Sequence, residues 1–369
     1  MNKESRFPKN WDRTKVATVV EEGTRKAPIP NGYVVSDLEG ESSIADGLVI
    51  YEGIEKVSTD SDAQTTRNQY VWIPVDNINS MLMCRIHGAS VTLDENTLQC
   101  STCREDTLLA GKIYDVSESA NIVNGNTVYT DTKDFSQNNQ TYSANLGYRE
   151  PAIVTGNSTE NGTNYDGSSS NYHGLGTAIA FLSRLETDFE EMARSVAKYK
   201  GFYVSRYEIG IGGSSKKNQT ILTSAPSSAN MWYGLYSVCR NVTDTTMHSH
   251  MIWGSQYDQI VKFAKEKERY DGTGEIFDVF TASIARQKTS YANAGNNLAD
   301  KVCNIYDLEG NCREWTAQAN GTDHRLARAG AYGIAGVGNF HPVAGVGTNN
   351  NPTSAFSDYS SRTTLYIVP

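Results

Sequence analysis

The residues best suited to chemistry lie in the stretch CRIHGASVTLDENTLQCSTC, which places Cys84, His87, Cys100 and Cys103 in two short pairs. Two residues separate the members of each pair, and twelve separate the pairs. Zinc takes four thiolate and imidazole ligands in a tetrahedron, and two pairs at this separation close a small knuckle around one ion. Residues 92–98 form the expected hairpin between them. With all four ligands drawn from protein, no coordination position stays open, so such a zinc is structural and no catalytic cofactor is implied. The same spacing also fits a disulfide from Cys84 to Cys100 or to Cys103 with His87 a bystander, or buried free thiols. Six cysteines in 369 residues are in any case too sparse for a disulfide-built scaffold.

A second chemical pattern is an absence. Residues 329–361 contain no Lys, Glu, Gln, Met or Trp. None of those five types can be encoded with a pyrimidine in the third codon position, whereas every residue of the stretch can. The segment repeats AGVGN and AGVGT and carries the run Asn349, Asn350, Asn351. Such a footprint is expected where adenines of AAC-type codons have been randomised. A Gly/Asn-rich loop that lacks long side chains by composition is the alternative.

These residues need a frame. The length suits one large or two medium domains and is ample for a core. The formal net charge is −9, which argues against a nucleic-acid groove. Lys216 and Lys217 read as part of a solvated loop. No run is apolar and long enough to insert in a membrane, and MNKESRFPKNWDRTK has no apolar core of a secretory signal. Residues 1–30 read as a poorly ordered arm suited to attachment. GLVIYEG and NQYVWIPV read as strands. Residues 81–170 alternate short strand-like pieces with Asn/Ser/Thr/Gly runs and read as a β- and loop-rich insertion. In LETDFEEMARSVAKYKG, Leu185, Phe189, Met192, Val196 and Tyr199 share one helical face, and Gly201 stands where a C-terminal cap belongs. FYVSRYEIG reads as a strand, SANMWYGLYSVCRN and WGSQYDQIVKFAKEKE as helices, and TTLYIV as a closing strand.

YVWIPV, FYVSRYEIG, MIWGSQYDQIVKFA and above all NIYDLEGNCREWT, in this order, resemble the landmarks of the formylglycine-generating-enzyme-like (sulfatase-modifying factor) domain. The last is the specific one. It joins a Gly310–Asn311 turn, Asp307 beside backbone groups, the Glu314 carboxylate and the Trp315 ring. The resemblance covers about residues 68–80 and 185–369. It implies an α+β, C-type-lectin fold formed by residues 31–80 and 171–369, with residues 81–170 inserted and TTLYIV pairing near YVWIPV. The aerobic enzymes of that family are expected to carry a reactive cysteine pair after NIYDLEGNCREWT, where this chain has none. An iron- and pterin-dependent branch would want a His/Gln-rich site, and this chain offers His324 and His341.

The chain therefore also resembles the variable proteins of diversity-generating retroelements, which use the same lectin-like fold and place randomised residues at its C-terminal end. That likeness implies a target-binding protein: the receptor-binding tip of a phage tail or a surface adhesin, on a virion or a cell surface, meeting a host-surface protein or glycan. An enzyme of the formylglycine-generating type and a structural tail component are the alternatives. The expected contact residues are Tyr332, Ile334, Val337, Asn339, Phe340, His341, Val346, Thr348, Asn349, Asn350, Asn351, Ser354, Ala355, Phe356, Ser357, Asp358 and Tyr359. Their mix of aromatic and small polar types follows the composition of paratopes. Homo-oligomerisation, or attachment through the N-terminal arm, is left open.

Overall fold

The computed structural model describes residues 12, 14–82, 92–102, 122–123, 126–127, 148–149, 178–224, 231–242, 247–266, 291–296, 298, 301–308, 310–320, 324–328, 331–332, 349–350, 352 and 354–368. The architecture is mixed α+β, with sheet predominant. Strands β1 (Val16–Glu22), β2 (Arg25–Pro30), β3 (Tyr33–Val35), β4 (Val49–Glu52) and β5 (Gln69–Pro74) precede helix α1 (Ala178–Tyr199). Strand β6 (Gly201–Ser205), helix α2 (Trp232–Arg240), strand β7 (Met247–Met251) and helix α3 (Gly254–Glu266) follow. The chain continues through β8 (Arg313–Asn320), β9 (His324–Arg328), β10 (Asn349–Asn350), β11 (Tyr359–Ser361) and β12 (Thr363–Ile367).

The main sheet has six strands in the order β7-β12-β6-β5-β4-β3, every neighbouring pair antiparallel. As expected, TTLYIV and YVWIPV lie in one sheet, with β6 between them. Val71 pairs with Val204, and Leu365 with Tyr203. Both faces of the sheet are buried, which is why these strands read as continuous apolar runs and not as alternation. Val49, Tyr51, Val71, Ile73, Phe202 and Val204 face the helices, together with Leu185, Phe189, Met192 and Val196 of α1. Ile50, Tyr70, Trp72, Tyr203, Leu365 and Ile367 face the other way.

That second face is covered by an element the sequence reading missed. Within the expected N-terminal arm, residues 16–30 form the antiparallel β1–β2 hairpin, and Val16, Val19, Ala27 and Ile29 pack against the sheet. The prolines Pro28 and Pro30 suggest a loop; pairing with Val19 and Val16 makes them strand residues. The first part of the expected insertion also joins the core. Asp94 accepts from the backbone of Asn96 at 3.0 Å and of Thr97 at 2.8 Å. This turn sets Leu93 opposite Cys100 and buries Leu93, Leu98 and Cys100 with the helices.

The helix end differs from expectation as well. Lys200, with φ 62°, takes the left-handed position after α1, and Gly201 already belongs to β6. Gly201 is needed for space: a Cβ there would lie 2.3 Å from Cζ2 of Trp72 and 2.5 Å from the Ile73 carbonyl oxygen.

A second sheet rises from this base. β8 pairs antiparallel with β9, β9 with β10, and β8 runs parallel to β11. Residues 148–149 add two further pairs to β8. No helix among the described residues is long and apolar enough to cross a membrane.

Candidate functional site

The segment before β8 is built from left-handed backbone: Cys303, Asn304, Asp307 and Asn311 have φ of 47°, 63°, 54° and 55°. Asn and Asp tolerate this region because their short side chains bond nearby backbone. Each does so here. The Asn304 amide reaches the carbonyls of Gly40, Asp46 and Gly47 at 2.8, 3.1 and 2.8 Å. Asp307 accepts from Gly295 N at 2.8 Å. Asn311 donates to Glu208 at 2.6 Å, accepts from Ala292 N at 2.8 Å through its side chain, and accepts from Tyr332 N at 3.0 Å through its carbonyl. One asparagine thereby ties three distant segments together.

Beneath them lies a buried set of charges. Glu314 and Arg362 are fully buried and meet at 2.5 Å. Burial, opposed by Arg362, lifts the Glu314 carboxyl to about 7. Burial, then the negative charges of Asp307 and Glu314, holds the Glu208 carboxyl well above the usual range. Trp315 is fully buried as well, so Glu208, Glu314, Trp315 and Arg362 brace a corner from within.

Above the corner lies the part of the expected contact surface that the structure describes. Ser224 N donates to the Tyr359 carbonyl at 2.8 Å, and its hydroxyl bonds both the backbone N and the carbonyl of Phe356, at 3.0 and 2.8 Å. Arg313 N donates to the Asp358 carbonyl at 2.7 Å. The segment 356–359 is thus held through its main chain. Ala355 and Ser357 are exposed, while Tyr332, Asn350, Ser354, Phe356 and Asp358 are half-buried. The Tyr332 hydroxyl lies 3.4 Å from that of Ser357. β10 carries Asn349 and Asn350 alongside Leu326 and Arg325.

Tyr359 departs from the expected contact set. It is 2 % exposed, with its ring 4.9 Å from Trp315 and 4.6 Å from Phe356, and its hydroxyl accepts from Asn350. Pairing of β11 with β8 turns it inward, so it supports the face from below. Ile334, Val337, Asn339, Phe340, His341, Val346, Thr348 and Asn351 lie outside the described residues.

Two surface participants escaped sequence reading. Tyr291 sets its ring 6.0 Å from that of Tyr332. Arg313 pairs with Asp358 and lies over the Tyr359 ring at 5.3 Å. Arg313 fills a position of the NIYDLEGNCREWT pattern that the pattern leaves unspecified, and nothing in the sequence marks Tyr291.

Of the expected metal ligands, Cys84, His87 and Cys103 lie outside the described residues. Cys100 is buried at the end of the hairpin, where Ser101 N donates to the Thr92 carbonyl at 3.2 Å. Among the described residues no group of three or more His, Cys, Asp or Glu could hold a metal ion. Cys303 and Cys312 are buried, and burial pushes the Cys312 thiol well above its usual range, away from the reactive thiolate. His324 opens β9, and His341 lies outside the described residues. A cleft of about 390 Å³ lies elsewhere, between the Asp94 turn and the end of α1, lined by Glu95, Asn96, Leu98, Arg194, Ala197, Lys198 and Lys200.

No family model matches the chain, and no curated protein matches it significantly. Among solved structures the chain is similar to the Major Tropism Determinant U1 variant, at 15% identity and a TM-score of 0.30, over 45% of this chain and 51% of that one. The P3c variant gives 14% identity and a TM-score of 0.30 over 46% and 51%. Treponema denticola variable protein 1 gives 14% identity and a TM-score of 0.26 over 44% of this chain and 62% of that one. The chain thus spans about half the length of the tropism determinants it matches.

Proposed function

We propose that this chain is a non-enzymatic target-binding protein with a C-type-lectin fold of the formylglycine-generating-enzyme-like kind, diversified by a retroelement at its C-terminal face. On this reading it is the receptor-binding protein of a phage tail or a surface adhesin, displayed on a virion or cell surface and attached through residues before the β1–β2 hairpin. Its target is a host-surface protein or glycan. The observation that carries the reading is a division of labour. The side chains of residues 354–358 fall in a stretch whose every residue fits a pyrimidine-ended codon, while the chain there is held by backbone bonds to Ser224 and Arg313. Backbone anchorage is indifferent to which side chain sits above it, so the face can change without disturbing the fold.

The test is exchange. Replacing Ser354, Ala355 and Ser357 together with positions 334, 337, 339–341, 346, 348 and 351 should change which host-cell surfaces the protein binds. The exchanges at the exposed Ala355 and Ser357 should each shift stability by less than about 0.5 kcal/mol. Tyr359→Ser should instead cost roughly 3 kcal/mol, as for a buried aromatic. Melting curves beside cell-binding assays read both. Exchanges that collapse the fold, or leave cell choice unchanged, overturn the reading.

The same proposal places a structural zinc at Cys84, His87, Cys100 and Cys103. Supporting it, the hairpin sets Cys100 opposite Leu93 and Ser101 beside Thr92, closing the stretch between the two ligand pairs. Metal analysis of purified protein should find one zinc per chain, lost in Cys100→Ser. Zinc-free wild-type protein would refute it.

A further inference from the structure

The ion pair between Arg313 and Asp358 joins two unlike positions. Arg313 belongs to β8, inside the bracing corner; Asp358 belongs to the stretch that fits pyrimidine-ended codons. Both reach the surface, with side chains 17% and 25% exposed. The guanidinium rests on a ring and its main chain is anchored separately. It lies over the Tyr359 ring at 5.3 Å, and its own backbone N holds the Asp358 carbonyl at 2.7 Å. Replacing the residue at 358 removes the carboxylate and leaves both restraints in place, because the one is a ring and the other a main-chain bond.

We propose that Arg313 is a fixed carboxylate-binding group of the target face, and that residue 358 sets whether it is offered. With Asp at 358, the chain supplies its own carboxylate and the guanidinium is satisfied internally. With an uncharged residue there, the planar fork faces outward, preorganised to take an acidic side chain of a protein target. The occupant already present argues for that ligand: Arg313 Nη1 donates to the Asp358 carboxylate, and a guanidinium makes the same charge-assisted bond to an Asp or Glu carboxylate whichever chain supplies it. Position 358 thereby switches the local preference between neutral and acidic targets. The inference rests on the target-binding reading, yet each can fail alone: surface exchange tests the face, and the pair is tested without any target.

The experiment is phenylglyoxal modification of the full chain, followed at Arg313 by peptide mapping. In Asp358→Asn the rate at Arg313 should rise roughly two- to fivefold, fivefold being the upper end for a partly exposed ion pair. Oligoglutamate should protect Arg313 in that variant, and oligoglutamine should not. In the wild type neither should alter the rate. Asp358→Ser is the parallel variant, and a melting curve for each establishes that the fold is retained. Equal rates in wild type and both variants overturn the proposal, as does protection by oligoglutamine. Protection by glucuronate but not by oligoglutamate overturns the assignment to an acidic protein side chain.

Discussion

Glu314 shows how a single residue sets a pH response. Its carboxyl rises from an ordinary 4.5 to about 7 in the folded protein, chiefly through burial. A raised folded pKa means that the native state holds the proton more tightly. The stability it contributes is full below about 4.5 and is lost as pH rises through about 7. A shift of this size corresponds to roughly 3 kcal/mol. His250 opposes it: burial lowers its pKa, so its contribution is lost as pH falls below the ordinary value of 6.5. The informative quantity is therefore a difference. The urea midpoint of wild type minus that of Glu314→Gln should fall between pH 5 and pH 8. A constant difference would place the proton elsewhere. Trp315, beneath the same corner, is fully buried, and Trp315→Ala should cost roughly 3–5 kcal/mol in thermal or urea unfolding. These roles were only partly legible in sequence. The types in NIYDLEGNCREWT announce a turn and a buried ring. That Asn311 reaches Glu208, Ala292 and Tyr332 depends on segments distant in the chain, which local pattern does not encode.

At the scale of elements, periodicity was informative wherever one element buries a regular face. The helical face of Leu185, Phe189, Met192 and Val196 is buried as its spacing demands. The strands β5, β6 and β12 were legible because burial on both sides demands apolar residues throughout. Boundaries and roles at the junction were not. Gly201 looks like a helix cap, yet Lys200 does that work and Gly201 admits the Trp72 ring. Gly201→Ala should therefore destabilise by about 1–3 kcal/mol through overpacking, read as a lower melting temperature. Stabilisation, the usual effect of removing a flexible glycine, would show that Trp72 has room to move. The β1–β2 hairpin was illegible for a different reason. Its polar residues face outward and its prolines suggest a break; only the apolar back of the sheet explains why it lies down. Tyr359 was illegible on a similar ground: it opens β11, whose three residues are all buried, and only the Trp315 ring brought beside it by β8 shows that its side chain packs inward.

For the whole molecule, one topological fact reaches further than packing. β12 follows the segment of residues 329–361 in the chain, yet it lies inside the sheet, hydrogen-bonded to β7 on one side and β6 on the other. Any slip of reading frame within that segment rewrites β12. The two flanking strands then lose their shared partner, and their inward amides and carbonyls are left without bonds, a penalty no domain of this size absorbs. The molecule thus carries a checksum downstream of residues 329–361. Substitutions in that segment leave β12 unaltered, whereas insertions and deletions out of frame yield a chain that cannot close its sheet.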